Sequence, residues 1–151
     1  TKTIRVAASY AGKKGDVVHI DSAARATATP GFVYGIQTAV IRDVSNAGLP
    51  IAIADVDDLI DIYYQPDVEF TGQNILGALT DPYTTRSSAA CFDVAGSAGV
   101  QYVNSAASAN DTIKVVGAAT EDKDGAPSEA GAYQKQILRF NPLVHVYGSA
   151  A

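Results

Sequence analysis

Short runs in which apolar and polar residues alternate cover most of the chain, and they predict strands. Ile4 and Val6 alternate with polar neighbours in Thr3–Ala8, and Gly12-Lys13-Lys14-Gly15-Asp16 then supplies a turn. Val17–Asp21 is a second strand. Phe32–Arg42 is a longer one, opened by Pro30-Gly31 and closed by Ser45-Asn46-Ala47-Gly48. Ile51 and Ile53 alternate with Ala52 and Ala54 in a fourth, and Leu59–Tyr64 forms a fifth that stops at Pro66. Gln73–Leu79, Ala90–Val94, Val100–Val103, Ile113–Ala119, Gln136–Phe140 and Leu143–Tyr147 complete the set. Short apolar runs punctuated this regularly predict an all-β chain, a sandwich or barrel-like domain of short antiparallel strands. At most one short helix is expected, capped by Asp81-Pro82 and running through Arg86 or Ser88. Ser22–Gly31 and Glu121–Gly131 read as loops.

One strand unit occurs twice. His19-Ile20-Asp21-Ser22-Ala23-Ala24-Arg25-Ala26 aligns with Tyr102-Val103-Asn104-Ser105-Ala106-Ala107-Ser108-Ala109. Further on, Val33-Tyr34-Gly35-Ile36-Gln37-Thr38 aligns with Val115-Val116-Gly117-Ala118-Ala119-Thr120, and Ile75-Leu76-Gly77-Ala78-Leu79-Thr80 repeats the Gly-x-x-Thr element between them. The shared order and β character predict an internally duplicated strand unit, although a chain rich in Ala, Ser and Gly also matches itself by chance. Its 151 residues suit a single β-rich domain, or two lobes of about 1–80 and 81–140 with a C-terminal arm at 141–151.

Composition narrows the classes further. A chain of this size buries about 68–70% of its unfolded surface, so no disulfide or metal is needed for folding. Cys91 is the only cysteine, which excludes an internal disulfide framework; beside Ala89, Ala90 and Phe92 it reads as a small buried hydrophobe rather than a reactive thiol. The net charge is −5 and the longest basic run is Lys13-Lys14, so no nucleic-acid partner is expected. No apolar stretch reaches the length of a membrane span, so no membrane partner is expected either. The basic N-terminal region lacks an apolar segment typical of a signal peptide, and Thr1 suits removal of an initiator methionine or another cleavage.

Candidate chemistry is sparse. Asp57-Asp58-Leu59-Ile60-Asp61 spells the Asp-Asp-x-x-Asp spacing that holds magnesium and diphosphate on helices of isoprenoid synthases. Its flanks here are β-rich, and a strand puts Asp57 and Asp61 on one face and Asp58 on the other, so the three carboxylates diverge. A solvated acidic turn is the expectation, with Asp55 adding enough oxygen for adventitious calcium. His19 and His145 each sit between apolar neighbours without an adjacent acid, a sheet-face setting rather than a catalytic one. No nucleophile elbow, phosphate-binding loop, dinucleotide fingerprint or His-Glu-x-x-His helix occurs, so neither catalysis nor a cofactor is expected. Asn110-Asp111-Thr112 fits a glycosylation pattern and reads as a turn. Of the eight tyrosines, adjacent Tyr63 and Tyr64 must face opposite ways in a strand, leaving one ring for the core and one for a protein contact or a sheet edge.

The opening strand, Lys13-Lys14-Gly15-Asp16-Val17-Val18-His19-Ile20-Asp21, an Ala/Thr spacer and Phe32-Val33-Tyr34-Gly35-Ile36 together resemble the capsid decoration (cement) proteins of tailed bacteriophages. Ala47-Gly48-Leu49-Pro50-Ile51-Ala52-Ile53 is similar to a further stretch of that family. Val115–Glu121 with Gln136-Ile137-Leu138-Arg139-Phe140 looks like its terminal hairpin. Pro82–Cys91 and Asn141–Ala151 depart from the pattern. The resemblance implies a structural, non-enzymatic homo-oligomer, a trimer before a dimer. It would be made in the host cytoplasm and sit on the outer capsid surface of the virion, bridging and stabilising major capsid protein subunits. Thr1–Ala8 and Arg139–Tyr147 have the composition of arms that add strands to a neighbour, which makes Thr3, Ile4, Arg5, Arg139, Phe140, Pro142, Leu143 and Tyr147 interaction candidates beside Tyr63 and Tyr64. The alternative is a β-sandwich adhesion or glycan-binding module of a phage tail, fibre or cell surface, using the Asp55–Tyr64 carboxylates and aromatics. A small metal-dependent hydrolase is a third reading.

Overall fold

The computed structural model describes residues 1–29, 31–73, 91–104, 110, 112–118 and 135–146. Their regular structure is β, in curled antiparallel sheets that form a half-barrel. The strands are β1 (Lys2–Arg5), β2 (Val17–Ile20), β3 (Ala26–Thr27), β4 (Phe32–Gln37), β5 (Ile41–Asp43), β6 (Leu49–Ile51), β7 (Leu59–Tyr63), β8 (Phe70–Gln73), β9 (Cys91–Ser97), β10 (Val100–Asn104), β11 (Ile113–Ala118) and β12 (Lys135–Phe140). The third copy of the Gly-x-x-Thr element, the helix expected after Asp81, and the 121–131 loop lie outside the described residues. Among those that are described, no helix is long and apolar enough to cross a membrane.

The first sheet runs β3-β2-β4-β7-β5-β6, with β1 also paired to β7. It curls so that the chain beyond β1 reaches its β3 edge. Val6, just beyond β1, makes a parallel bridge to Ala26 of β3, and the Ala7 amide donates to the Ala26 carbonyl at 2.8 Å. Ile4, Val6, Val18, Ala26, Tyr34, Ile41, Ile60 and Ile62 fill the space inside. The second sheet, β10-β9-β11-β12-β8, packs on the outside of β2 and β4. There Val17 and Val33 join Val103, Ile113, Val115, Leu138 and Phe140 in a second core.

A β-bulge lets β4 serve both cores. Val18 pairs with Gly35 but His19 pairs with Val33, so Tyr34 is left without an opposite residue. The side-chain alternation shifts there. Val33 and Ile36 both pack on the second sheet, while Tyr34 turns into the curled one.

The structure redraws several predicted boundaries. Phe32–Arg42 is two strands, not one: the chain breaks after Gln37, and both halves pair with β7. The predicted Ile51–Ala54 strand shifts to Leu49–Ile51. A 3-10 turn at Val44–Asn46 and positive φ at Ala47 and Gly48 close the β5–β6 hairpin and set that register, leaving Ile53 outside. Leu143–Tyr147 is not a strand over its described part. Asn141 folds it instead: its carbonyl accepts from the Val144 and His145 amides and its side chain accepts from Leu143.

The duplication holds locally and fails in pairing. β11 has its own bulge, with Val116 unopposed immediately before Gly117, as Tyr34 is before Gly35. Yet β2 pairs directly with β4, whereas β9 separates the equivalent strands β10 and β11.

Gly35 is required by close approach. A Cβ built there would stand 2.0 Å from the Tyr63 carbonyl oxygen, a backbone atom that cannot move aside without parting β4 from β7. Gly35→Ala is expected to cost about 1–3 kcal/mol, the usual range for overpacking. Urea unfolding checks this, and an unchanged midpoint would mean that the two strands do not meet so closely.

Candidate functional site

The acidic cluster does not converge. Asp57 sits in a turn at φ +69, and its Oδ1 accepts from Arg25 Nε at 2.7 Å. Asp61, on β7, accepts from the Arg42 guanidinium and from Thr3 Oγ1 at 2.6 Å. These hydrogen bonds hold both carboxyls below their ordinary range, with charge attraction to Arg25 and Arg42 adding to the effect. Asp58 departs from the expected solvated turn. It is 1% exposed and accepts from the amides of Val44 (3.1 Å) and Asp55 (2.9 Å), pinning the 3-10 turn to the start of β7. Among the described residues no three His, Cys, Asp or Glu side chains are grouped to hold a metal.

The two terminal segments expected as arms are built into their own chain. β1 pairs with β7 from Lys2↔Ile62 to Arg5↔Leu59. Ile4 is 7% exposed inside the curled sheet; Thr3 and Arg5 face solvent. At the other end Phe140 is 1% exposed, its ring 5.0 Å from Phe70 and 5.3 Å from His145. Ile4 and Phe140 are therefore core residues, because alternation along their strands turns them inward. Arg139 Nη2 donates to the Asp67 carbonyl at 3.1 Å. Val33 donates to the Val144 carbonyl and accepts from the Val146 amide, so the C-terminal segment adds to β4 of the same chain beyond the point where β7 leaves it. Pro142 is exposed and Leu143 is 71% exposed. Tyr147 lies outside the described residues. Tyr63 is exposed and Tyr64 packs on the inner core, the opposite facing that adjacency in a strand requires.

Sequence reasoning missed two features. The first is apolar surface around the β5–β6 hairpin: Val40, Val44, Leu49, Ile53 and Val56 are each at least half exposed. The available signal was the excess of apolar residues between Arg42 and Val56, more than one face of a short strand can bury. The second is a cleft between the sheets. Its side is the β9–β10 hairpin, whose tip docks through Asp16 and Gln101. The Gly99 amide donates to the Asp16 carboxylate at 2.9 Å, as does the Lys13 amide, and the Val17 amide donates to Gln101 Oε1 at 2.7 Å. Gly15 at φ +94 makes the turn that presents Asp16. Tyr10 lies beside it, donating to Gln37 Oε1 at 2.9 Å. Burial and then the Asp16 charge push its phenol well above the usual range.

The two histidines flank Val33. His19 is its Cα partner on β2 and His145 bridges it from the other side. Burial lowers both pKa values. For His145 a hydrogen bond to the Tyr34 main chain partly offsets that effect. Comparison of the chain with known protein families, curated proteins and solved structures finds no match.

Two expectations follow. Asp58→Ala should cost about 1–3 kcal/mol by stranding two amides, whereas Asp57→Asn, at a solvent-screened surface pair, should cost clearly less. Equal losses in thermal unfolding would contradict the assignment. The imidazoles give a pH test. Because folding favours their neutral forms, the unfolded chain binds more protons below its own histidine pKa of about 6.5. Their contribution is present above that pH and is lost as pH falls. The melting temperature should drop between about pH 6.5 and 5, above the range where carboxylates titrate, and the double variant His19→Gln/His145→Gln should flatten the drop. An equal slope in the variant would remove the histidines as its cause.

Proposed function

We propose that the chain is a structural protein of the outer capsid surface of a tailed bacteriophage, bridging and stabilising neighbouring major capsid protein subunits as a homo-oligomer, a trimer before a dimer. In this reading it is not an enzyme. The resemblance of its turn and strand sequence to decoration proteins motivates the proposal, and the all-β fold is compatible with it. The observation that carries it is the exposed apolar surface of the β5–β6 hairpin and its flanks, since apolar area of this kind marks protein contact. A groove beside it is lined by Val40, Ile41, Pro50 and Ile51, with Lys13 and Lys14 on its rim. Pro50 has no amide hydrogen to offer on this edge strand, so attachment here proceeds through side chains rather than strand addition. Several such weak contacts, repeated in an oligomer, sum to firm retention on a shell.

Less supports the adhesion reading: Asp57 and Asp61 are paired with Arg25 and Arg42, and Asp58 is buried.

Sedimentation with mature capsids stripped of surface proteins tests the proposal. The protein should pellet with the shells, and Leu49→Asp combined with Ile53→Asp should reduce binding by about tenfold or more, the equivalent of 1.4 kcal/mol, without changing thermal stability. Failure to pellet with any tailed-phage capsid, or full binding by a folded double variant, would reject this surface and the function built on it.

A further inference from the structure

The groove beside the β5–β6 hairpin joins an apolar side to a cationic one. Its volume is about 530 Å³, within the range of binding clefts. Val40, Ile41, Pro50 and Ile51 supply the apolar side, with Ile41 and Ile51 directly opposite each other across β5 and β6. Lys13 and Lys14 of the β1–β2 loop line it as well, beside Gly99 at the tip of the β9–β10 hairpin.

Both lysines are exposed, and among the described residues they are the only charged ones on the lining. The turn that carries them is fastened from below. The Asp16 amide donates to the Lys13 carbonyl at 3.0 Å, and the Gly15 amide donates to the Gln37 carbonyl at 2.8 Å. The Lys13 stem lies along Gly99, where an added Cβ would stand 2.9 Å from its Cδ. Among the described residues neither lysine is in an ion pair. Asp16, the carboxylate closest to them in sequence, is 4% exposed and accepts from the Lys13 and Gly99 amides. A chain of net charge −5 thus presents two cations on a turn that needs no ordering when a partner arrives.

The two characters together select the occupant. A phosphate backbone would meet the lysines but leave the apolar side unused, and the acidic chain around them would repel it. A wholly apolar segment would cover the apolar side and strip water from the lysine heads without replacing it. A protein segment with a carboxylate beside an aliphatic side chain satisfies both. Its aliphatic group covers Val40, Pro50 and Ile51, and its carboxylate takes charge-assisted hydrogen bonds at the rim. We propose that this groove binds an acidic, aliphatic protein segment, with Lys13 and Lys14 as the carboxylate partners. In the function proposed above that segment belongs to the major capsid subunit, and its identity rests on that reading.

The test is NMR titration of the labelled full chain with a capped peptide of alternating leucine and aspartate, its leucine–asparagine isostere, and phosphatidylglycerol vesicles. The aspartate peptide should shift the amides of Val40, Ile51 and the Lys13–Gly15 turn. It should bind at least about threefold more tightly than the asparagine peptide, the scale of exposed ion pairs. That advantage should fade between about 50 mM and about 500 mM sodium chloride, as screening requires. Lys13→Gln combined with Lys14→Gln should abolish the preference at unchanged thermal stability, and Lys13→Arg combined with Lys14→Arg should keep it. Equal binding of the two peptides, a preference that survives the glutamine variant or high salt, shifts confined to other residues, or tighter binding of the vesicles would each overturn the proposal. Capsid sedimentation separates this outcome from the function proposed above. Shells that retain a chain whose groove ignores the carboxylate reject the proposal alone, and a groove that prefers the aspartate peptide on a chain no shell retains rejects the capsid role alone.

Discussion

Two strands, β2 and β4, are buried on both faces, and the rest of the chain is arranged around that constraint. Val18 and Tyr34 point into the curled sheet, while Val17, Val33 and Ile36 point out at the second sheet. Fully burying a Val or Ile side chain is worth about 1.5–3 kcal/mol, so the pair draws a sheet onto each side. Strict alternation would not place Val33, Tyr34 and Ile36 in these positions. The bulge at Tyr34 supplies the missing step, and Gly35 beside it admits the β7 backbone.

A strand pair dry on both faces has to settle its polar atoms internally, and the chain does this by short-range stapling. Gln37, fully buried, accepts from Tyr10 and donates to the carbonyls of Gly12 and Ala39, which ties the β1–β2 loop to the break between β4 and β5. Asp16 ties the same loop to the β9–β10 hairpin. Asp58 performs the equivalent task at the other end of the curled sheet. Asp16 and Asp58 act on backbone amides, and Gln37 on two backbone carbonyls besides the Tyr10 hydroxyl; backbone partners do not depend on a rotamer. The Asp16 and Asp58 carboxylates are thereby consumed as fasteners.

Strand character was legible because alternation is a local property. Thr3–Ala8, Val17–Asp21, Val100–Val103, Ile113–Ala119 and Gln136–Phe140 each overlap an observed strand, most of them to within a residue at either end. What was not legible depended on partners distant in sequence. Phe32–Arg42 reads as continuous, yet it breaks where Gln37 turns inward to Tyr10. Leu143–Tyr147 has strand composition, yet Asn141 folds it and Val33 receives it. Asp58 resembled its neighbours in sequence, and only the return of the Val44 turn reveals it as buried. The inter-sheet cleft is assembled from the β1–β2 loop, β2, β3, β9 and β10, so no window of sequence contains it.

The repeated sequence unit shows what local similarity does and does not carry. Val33-Tyr34-Gly35 and Val115-Val116-Gly117 place the unopposed residue of a bulge at the same position, one before glycine. The reasons for the glycine differ. In β4 a side chain would strike the Tyr63 carbonyl, whereas at Gly117 an added Cβ would meet nothing within 4 Å. The neighbours differ as well, since β4 bulges against β2 and β11 against β12. The unit thus encodes a bend in a strand rather than a copied lobe. That bend serves different ends in the two sheets: in β4 it directs side chains to two cores, and in β11 it shifts the register against β12 while Val115 stays in the core shared with β2 and β4. The two halves of the chain are joined through that shared core, not related by superposable pairing.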